Sequence, residues 1–123
     1  MDATEAKLKE KLEHHLEQAT KAAAEIQALE QGDQVPHFDQ IELPAHALGQ
    51  RFSRAIQEER AREVALAKLG RVYCPDCKKQ CRVEIEPREV SSIDGPIELT
   101  EPVAHCRPCR RSFFPSADPN GLR

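Results

Sequence analysis

The sequence predicts an α+β chain, with an N-terminal helical hairpin over residues 1–70 followed by a three-stranded antiparallel sheet over residues 71–123. Three observations carry that reading. The first part is dominated by Ala, Glu, Lys, Leu and Gln, all strong helix formers. The charge balance shifts at Gly70: residues 1–70 carry nine Lys/Arg against thirteen Asp/Glu, and residues 71–123 carry nine against eight. All five cysteines lie beyond that point, in a stretch where apolar residues recur at strand spacing.

The first helix is expected from residue 2 to about residue 30. Asp2 with Glu5 three positions on has the form of a capping box, with Asp in the Ser/Thr role. Leu12, Leu16, Ala19, Ala23 and Ile26 then repeat in a 4-3-4-3 alternation, flanked by Leu8 and Leu29. That is a seam of heptad type, which suits packing against the same chain, a homodimeric coiled coil or a helical protein partner through residues 5–30. His14 and His15 point about 100° apart on a helix and are read as solvated. Gly32-Asp33 stops the helix, and Pro36 and Pro44 are expected to keep the next stretch extended.

A second helix is expected over about 45–69, with Leu48, Phe52, Ala55 and Ile56 on one face and Gly70 as its stop. The two helices would each cover the other's stripe. Nothing in residues 1–70 forms a nucleophile–base pair, a phosphate loop or a carboxylate site, so no catalytic residues are expected.

The chain of 123 residues holds one ordinary domain or two very small ones. Aromatic residues make up 4% and charged residues 32%, with no Trp, so little bulky apolar surface is available to offset the entropy of ordering. The net charge of −3 argues against a uniformly basic nucleic-acid binder. No apolar run approaches the roughly 18 residues of a membrane helix, and the start MDATEAKLKEK lacks the apolar core of a signal peptide. The reading is cytoplasmic, without a membrane partner. Thiols stay reduced there, so paired cysteines point to metal or redox chemistry before disulfides.

The cysteines have that pairing. Cys74-Pro75-Asp76-Cys77 and Cys106-Arg107-Pro108-Cys109 are two C-x-x-C turns separated by an intermediate gap. Each turn aims two thiolates at one point, and two such turns complete a tetrahedron around a zinc ion. The expected ligands of one structural Zn2+ are Cys74, Cys77, Cys106 and Cys109. Between them Val83 and Ile85 share a parity, Asp94-Gly95 supplies a hairpin turn, and Ile97, Leu99 and Val103 carry the return strand. The product is a zinc ribbon. Cys81 is left as a spare thiol, and His105, adjacent to Cys106, points away from the site. The same cysteine spacing surrounds mononuclear iron in rubredoxin-like electron carriers, whose cores are denser in aromatics than this one.

Arg71, Lys78, Lys79, Arg82, Arg107, Arg110 and Arg111 lie within a few residues of a ligand cysteine, whereas Glu84, Glu86, Glu89, Asp94, Glu98 and Glu101 occupy the hairpin away from it. Two roles stay open for the cations. They offset the formal −2 charge of a zinc tetrathiolate, or they contact the phosphates of DNA.

The second part also resembles the N-terminal zinc-ribbon region of Kra-type bacterial insertion-sequence transposases. The residues that carry the resemblance are Cys74-Pro75-Asp76-Cys77, Asp94-Gly95-Pro96-Ile97, His105-Cys106-Arg107-Pro108-Cys109, Phe113-Phe114-Pro115, Asp118 and Gly121-Leu122. Three features depart from that pattern. Lys78 and Arg110 stand at the knuckle glycines, an Arg-x-Tyr-Tyr stretch reads Glu101-Pro102-Val103-Ala104, and no acidic catalytic core follows. The resemblance implies a detached or truncated, non-catalytic region that recognises DNA ends and assembles. A protein–protein adaptor with a purely structural ribbon is the alternative.

Overall fold

The computed structural model describes residues 2–115, so Asp118, Gly121 and Leu122 lie outside the described residues. The chain is α+β, in the order α1 (Ala3–Gln31), α2 (Phe38–Ala67), β1 (Gly70–Tyr73), β2 (Gln80–Ser92), β3 (Gly95–Cys106) and β4 (Arg111–Phe113). Two compact units meet inside α2, between Leu48 and Gly49. No helix among the described residues is long and apolar enough to cross a membrane.

In the first unit the Asp2 cap forms as expected, with the Glu5 N–H donating to Asp2 Oδ1 at 2.7 Å. The reciprocal half of the capping box does not, because Glu5 pairs with Lys9 at 3.3 Å instead. Gly32, at φ 63, ends α1, and its N–H donates to the Ala28 carbonyl.

The expectation of an extended stretch through Pro44 is corrected: α2 begins at Phe38 and contains Pro44. The His37 N–H donates to Gln40 Oε1 at 2.8 Å, a cap that starts the helix seven residues earlier than its apolar face indicates. Proline removes the N–H that would bond to the Gln40 carbonyl and crowds that carbonyl with its ring. Gln31 Nε2 donates to the Gln40 carbonyl at 3.4 Å, and Gln27 Nε2 donates to that of Ile41 at 3.2 Å. Two side chains of α1 thus supply donors to the carbonyls one turn before the proline.

Mutual covering of the helix stripes is also corrected. No residue of α1 is buried, and Leu8, Leu12, Leu16, Ile26 and Leu29 are exposed. His14 and His15 are exposed, as expected.

In the second unit the sheet has four strands rather than three, in the antiparallel order β1-β2-β3-β4. The extra strand follows from the knuckles. Each C-x-x-C turn reverses the chain, so a short strand enters the first turn and another leaves the second. Strands of four and three residues are too short to show periodicity in the sequence. Val72 lies opposite Cys81, Val83 opposite Ala104, and Ala104 opposite Phe113. One face therefore gathers Val72, Cys81, Val83, Ala104 and Phe113 around the cysteines.

The β2–β3 turn is displaced by one residue from the expected Asp94-Gly95. Ser92 pairs with Gly95, so Ile93 and Asp94 form the turn and Gly95 follows at φ 113. Positive φ falls on the glycine alone, at the fourth position of the turn, where type I turns favour glycine. The second half of α2 is tied to this turn. Ser53 Oγ donates to the Asp94 carboxylate, Arg54 Nη1 donates to the Asp94 carbonyl at 2.8 Å, and the Glu98 N–H donates to Glu58 Oε2 at 3.1 Å. Helix α2 ends at Ala67, and Gly70, expected as its stop, opens β1 at φ 128.

A Cβ at position 95 would meet the Arg54 guanidinium at 3.4 Å on a backbone that L residues avoid. Gly95→Ala is therefore expected to lower unfolding stability by about 1–2 kcal/mol, read from denaturant unfolding of the full chain.

Candidate metal centre

The two turns bring their cysteines together. The sulfurs of Cys74, Cys77, Cys106 and Cys109 all lie within 4.8 Å of one another. Cys74 Sγ is 3.8 Å from Cys109 Sγ, and Cys77 Sγ is 3.4 Å from Cys106 Sγ. Tetrahedral coordination at about 2.3 Å places sulfurs about 3.8 Å apart, so the arrangement fits a four-thiolate site. These separations are far beyond a disulfide, and all five cysteines are free.

The backbone explains why these sequences make such turns. In the first, the Lys78 N–H donates to the Cys74 carbonyl at 3.0 Å and the Cys74 N–H donates to the Lys79 carbonyl at 2.8 Å. In the second, the Arg110 N–H donates to the Arg107 carbonyl at 3.2 Å. The residue after the second cysteine has positive φ in both turns, 64° at Lys78 and 53° at Arg110. A side chain on such a left-handed backbone costs about 1–2 kcal/mol.

The electrostatics of the cluster favour a cation. The N–H of Cys77 is the largest influence on Cys74 and lowers its thiol from 9.0 to about 7. Cys109 faces the sulfurs of Cys77, Cys106 and Cys74 and is pushed up from 9.0 to about 12. Cys109 is thus held as a neutral thiol among its neighbours, and a divalent ion in the cluster would remove that restriction.

Cys81 does not join the cluster. It is 3% exposed, in the small core with Val83 and Ala104, and its Sγ donates to the Lys79 carbonyl at 3.6 Å. His105 faces elsewhere: Nδ1 is 2.6 Å from Ser112 Oγ, and Nε2 is 3.4 Å from Glu86 and 3.8 Å from Glu84. Those three side chains also stand close enough to share a cation, but all are exposed, and exposed acidic groups commonly sit together without one.

The structure sorts the cations expected near the knuckles. Lys78 folds back, with Nζ donating to the Pro75 carbonyl at 3.0 Å. Arg111 pairs with Asp76, joining one knuckle to the other. Asp76 sits inside a C-x-x-C pair that is recognised by spacing alone, so no sequence signal marks it. Arg71 and Arg82 stand directly opposite each other on β1 and β2. Lys79, Arg107 and Arg110 are exposed, and among the described residues none of these five cations is in an ion pair.

Comparison of the chain with protein-family models, with curated proteins and with solved structures gives no match.

Two outcomes test the ligand assignment. Cys81→Ala is expected to leave one metal per chain by native mass spectrometry, whereas Cys106→Ala abolishes loading. Loading displaces the proton that Cys109 otherwise holds up to about 12. Apparent metal affinity should therefore rise with pH, by at least about tenfold per unit between pH 6 and 8, in competition with a chelator of known affinity.

Proposed function

We propose that the chain is a non-catalytic zinc-binding module whose sheet is a zinc ribbon and whose basic metal end contacts DNA. The observation that carries this reading is the convergence of Cys74, Cys77, Cys106 and Cys109. Four protein thiolates fill a tetrahedral zinc, leaving no position for a hydrolytic water, so the metal's role is structural. Zinc is favoured over a rubredoxin-like iron because, among the described residues, Phe113 is the one aromatic packed against the buried cluster. The purified protein would then be colourless rather than red.

The DNA reading is supported by the unpaired cations at the metal end and by the resemblance to the N-terminal region of Kra-type transposases. That resemblance assigns DNA recognition rather than strand transfer to this part. Such contacts release condensed counterions, so affinity falls as salt rises.

A second reading, a protein–protein adaptor, is favoured by the exposed leucines of α1. An apolar row of that length on one helix suits a helical partner or a second copy. The readings separate when Leu12 and Leu16 are both replaced by Glu. An adaptor loses its partner, whereas a DNA-binding ribbon keeps its ligand.

In a gel-shift titration of the zinc-loaded full chain on duplex DNA, affinity is expected to fall at least tenfold between about 50 and 200 mM salt. The Leu12→Glu, Leu16→Glu variant should keep that affinity within about twofold. No shift at the lower salt with either duplex or single-stranded DNA contradicts the DNA reading.

A further inference from the structure

We propose that the outer face of the β1–β2 hairpin is a stacking platform for single-stranded nucleic acid, with Tyr73 as the base-contacting residue and Arg71 and Arg82 as its phosphate clamp. This inference rests on the nucleic-acid reading above and specifies which form of nucleic acid is held, and how.

The register places the residues. Arg71 lies opposite Arg82 and Tyr73 opposite Gln80. Residues 71, 73, 80 and 82 thus share one face of the hairpin, while Val72 and Cys81 turn to the other, against the cysteines. All four outward residues are exposed, Tyr73 at 66%. An aromatic ring left in water beside two cations and an amide offers a π-face, two charged forks and a hydrogen-bonding edge on one short surface.

Charge points to the ligand. Like charges directly opposite on neighbouring strands repel, and neither Arg71 nor Arg82 has an acidic partner among the described residues. Their guanidinium groups can share an anion, and arginine forks suit phosphate oxygens. The acids mark the limit of the surface: Glu84 and Glu86, further along β2, are engaged with His105.

The aromatic selects the strand form. In a duplex the base faces are stacked away, and an exposed tyrosine on a sheet face has nothing to stack on. In a single strand every base offers a π-face, and aromatic stacking contributes about 1–3 kcal/mol per base whatever the sequence. The two arginines alone would suit either form. Tyr73 beside them is what distinguishes a single strand.

The chain supplies its own probe, because Tyr73 is its one tyrosine and it has no tryptophan. Intrinsic tyrosine emission of the zinc-loaded full chain therefore reports on this surface alone. The probes are twelve-nucleotide oligothymidylate, the matching oligouridylate and a mixed-sequence duplex, each also followed by fluorescence anisotropy through a terminal dye. Saturable quenching by either single strand supports the proposal, and the tighter of the two names DNA or RNA as the ligand.

Tyr73→Ala should weaken single-strand binding about tenfold, within the range of one lost stacking contact, and change duplex binding less than twofold. Tyr73→Phe should restore the affinity. Arg82→Gln should reduce the slope of log affinity against log salt by about 0.7. Each variant is checked for one zinc per chain, so loss of folding is not mistaken for loss of contact. Strands that bind by anisotropy while tyrosine emission stays unchanged overturn the platform and leave the nucleic-acid reading standing. Failure of all three probes to bind at low salt overturns both.

Discussion

The C-terminal unit is organised around the convergence of four thiol groups at one end of a sheet whose other buried side chains, Ile97 and Val103 on β3 with Ala65 on α2, are few and small. Among the described residues the largest fully buried side chains are Cys74 and Cys106. Around them are Val83, Ala104 and Cys81, with Val72 and Phe113 partly covered. Burying a few small side chains stabilises far less than ordering some fifty residues costs. A structural metal in a small domain contributes on the order of 10 kcal/mol. The same site accounts for the topology. Each knuckle joins a short outer strand to a long inner one, so closing the four-sulfur cluster sets the register of β1 against β2 and of β3 against β4.

Electrostatics follow from the same cluster. Sulfurs this close hold Cys109 protonated while no cation is present, and they place a demand for positive charge at one end of the sheet. The cations there divide by task. Arg111 spans to Asp76 and Lys78 closes on its own knuckle, so both serve the turns. Arg71 and Arg82 face each other, and among the described residues neither has an acidic partner. That division separates charges that stabilise the knuckles from charges available to a ligand.

The parts most legible in the sequence were those fixed by short-range chemistry. The cysteine spacing gave the cluster, Asp2 the first cap, and Gly32 the first stop. Features that depend on contacts between distant residues were not legible. Pro44 reads as a helix breaker until Gln27 and Gln31 of another helix are seen donating to the carbonyls beside it. Strands β1 and β4 are too short for a period and exist because the knuckles fold the chain back. Asp94-Gly95 carries a turn signal, but the tie of α2 to the turn through Ser53 and Arg54 accompanies a register one residue earlier. Spacing of the leucines in α1 predicts a seam, and the chain alone leaves it uncovered.

The central claim is that a metal takes the place of the core the sheet lacks. Amide hydrogen exchange of the full-length protein, before and after removal of metal by a strong chelator under reducing conditions, tests it most directly. The account predicts slow exchange at Val83, Ala104 and Cys106 with metal bound, and collapse of that protection throughout the sheet once the metal is removed. Protection that persists unchanged in the metal-free protein would contradict it.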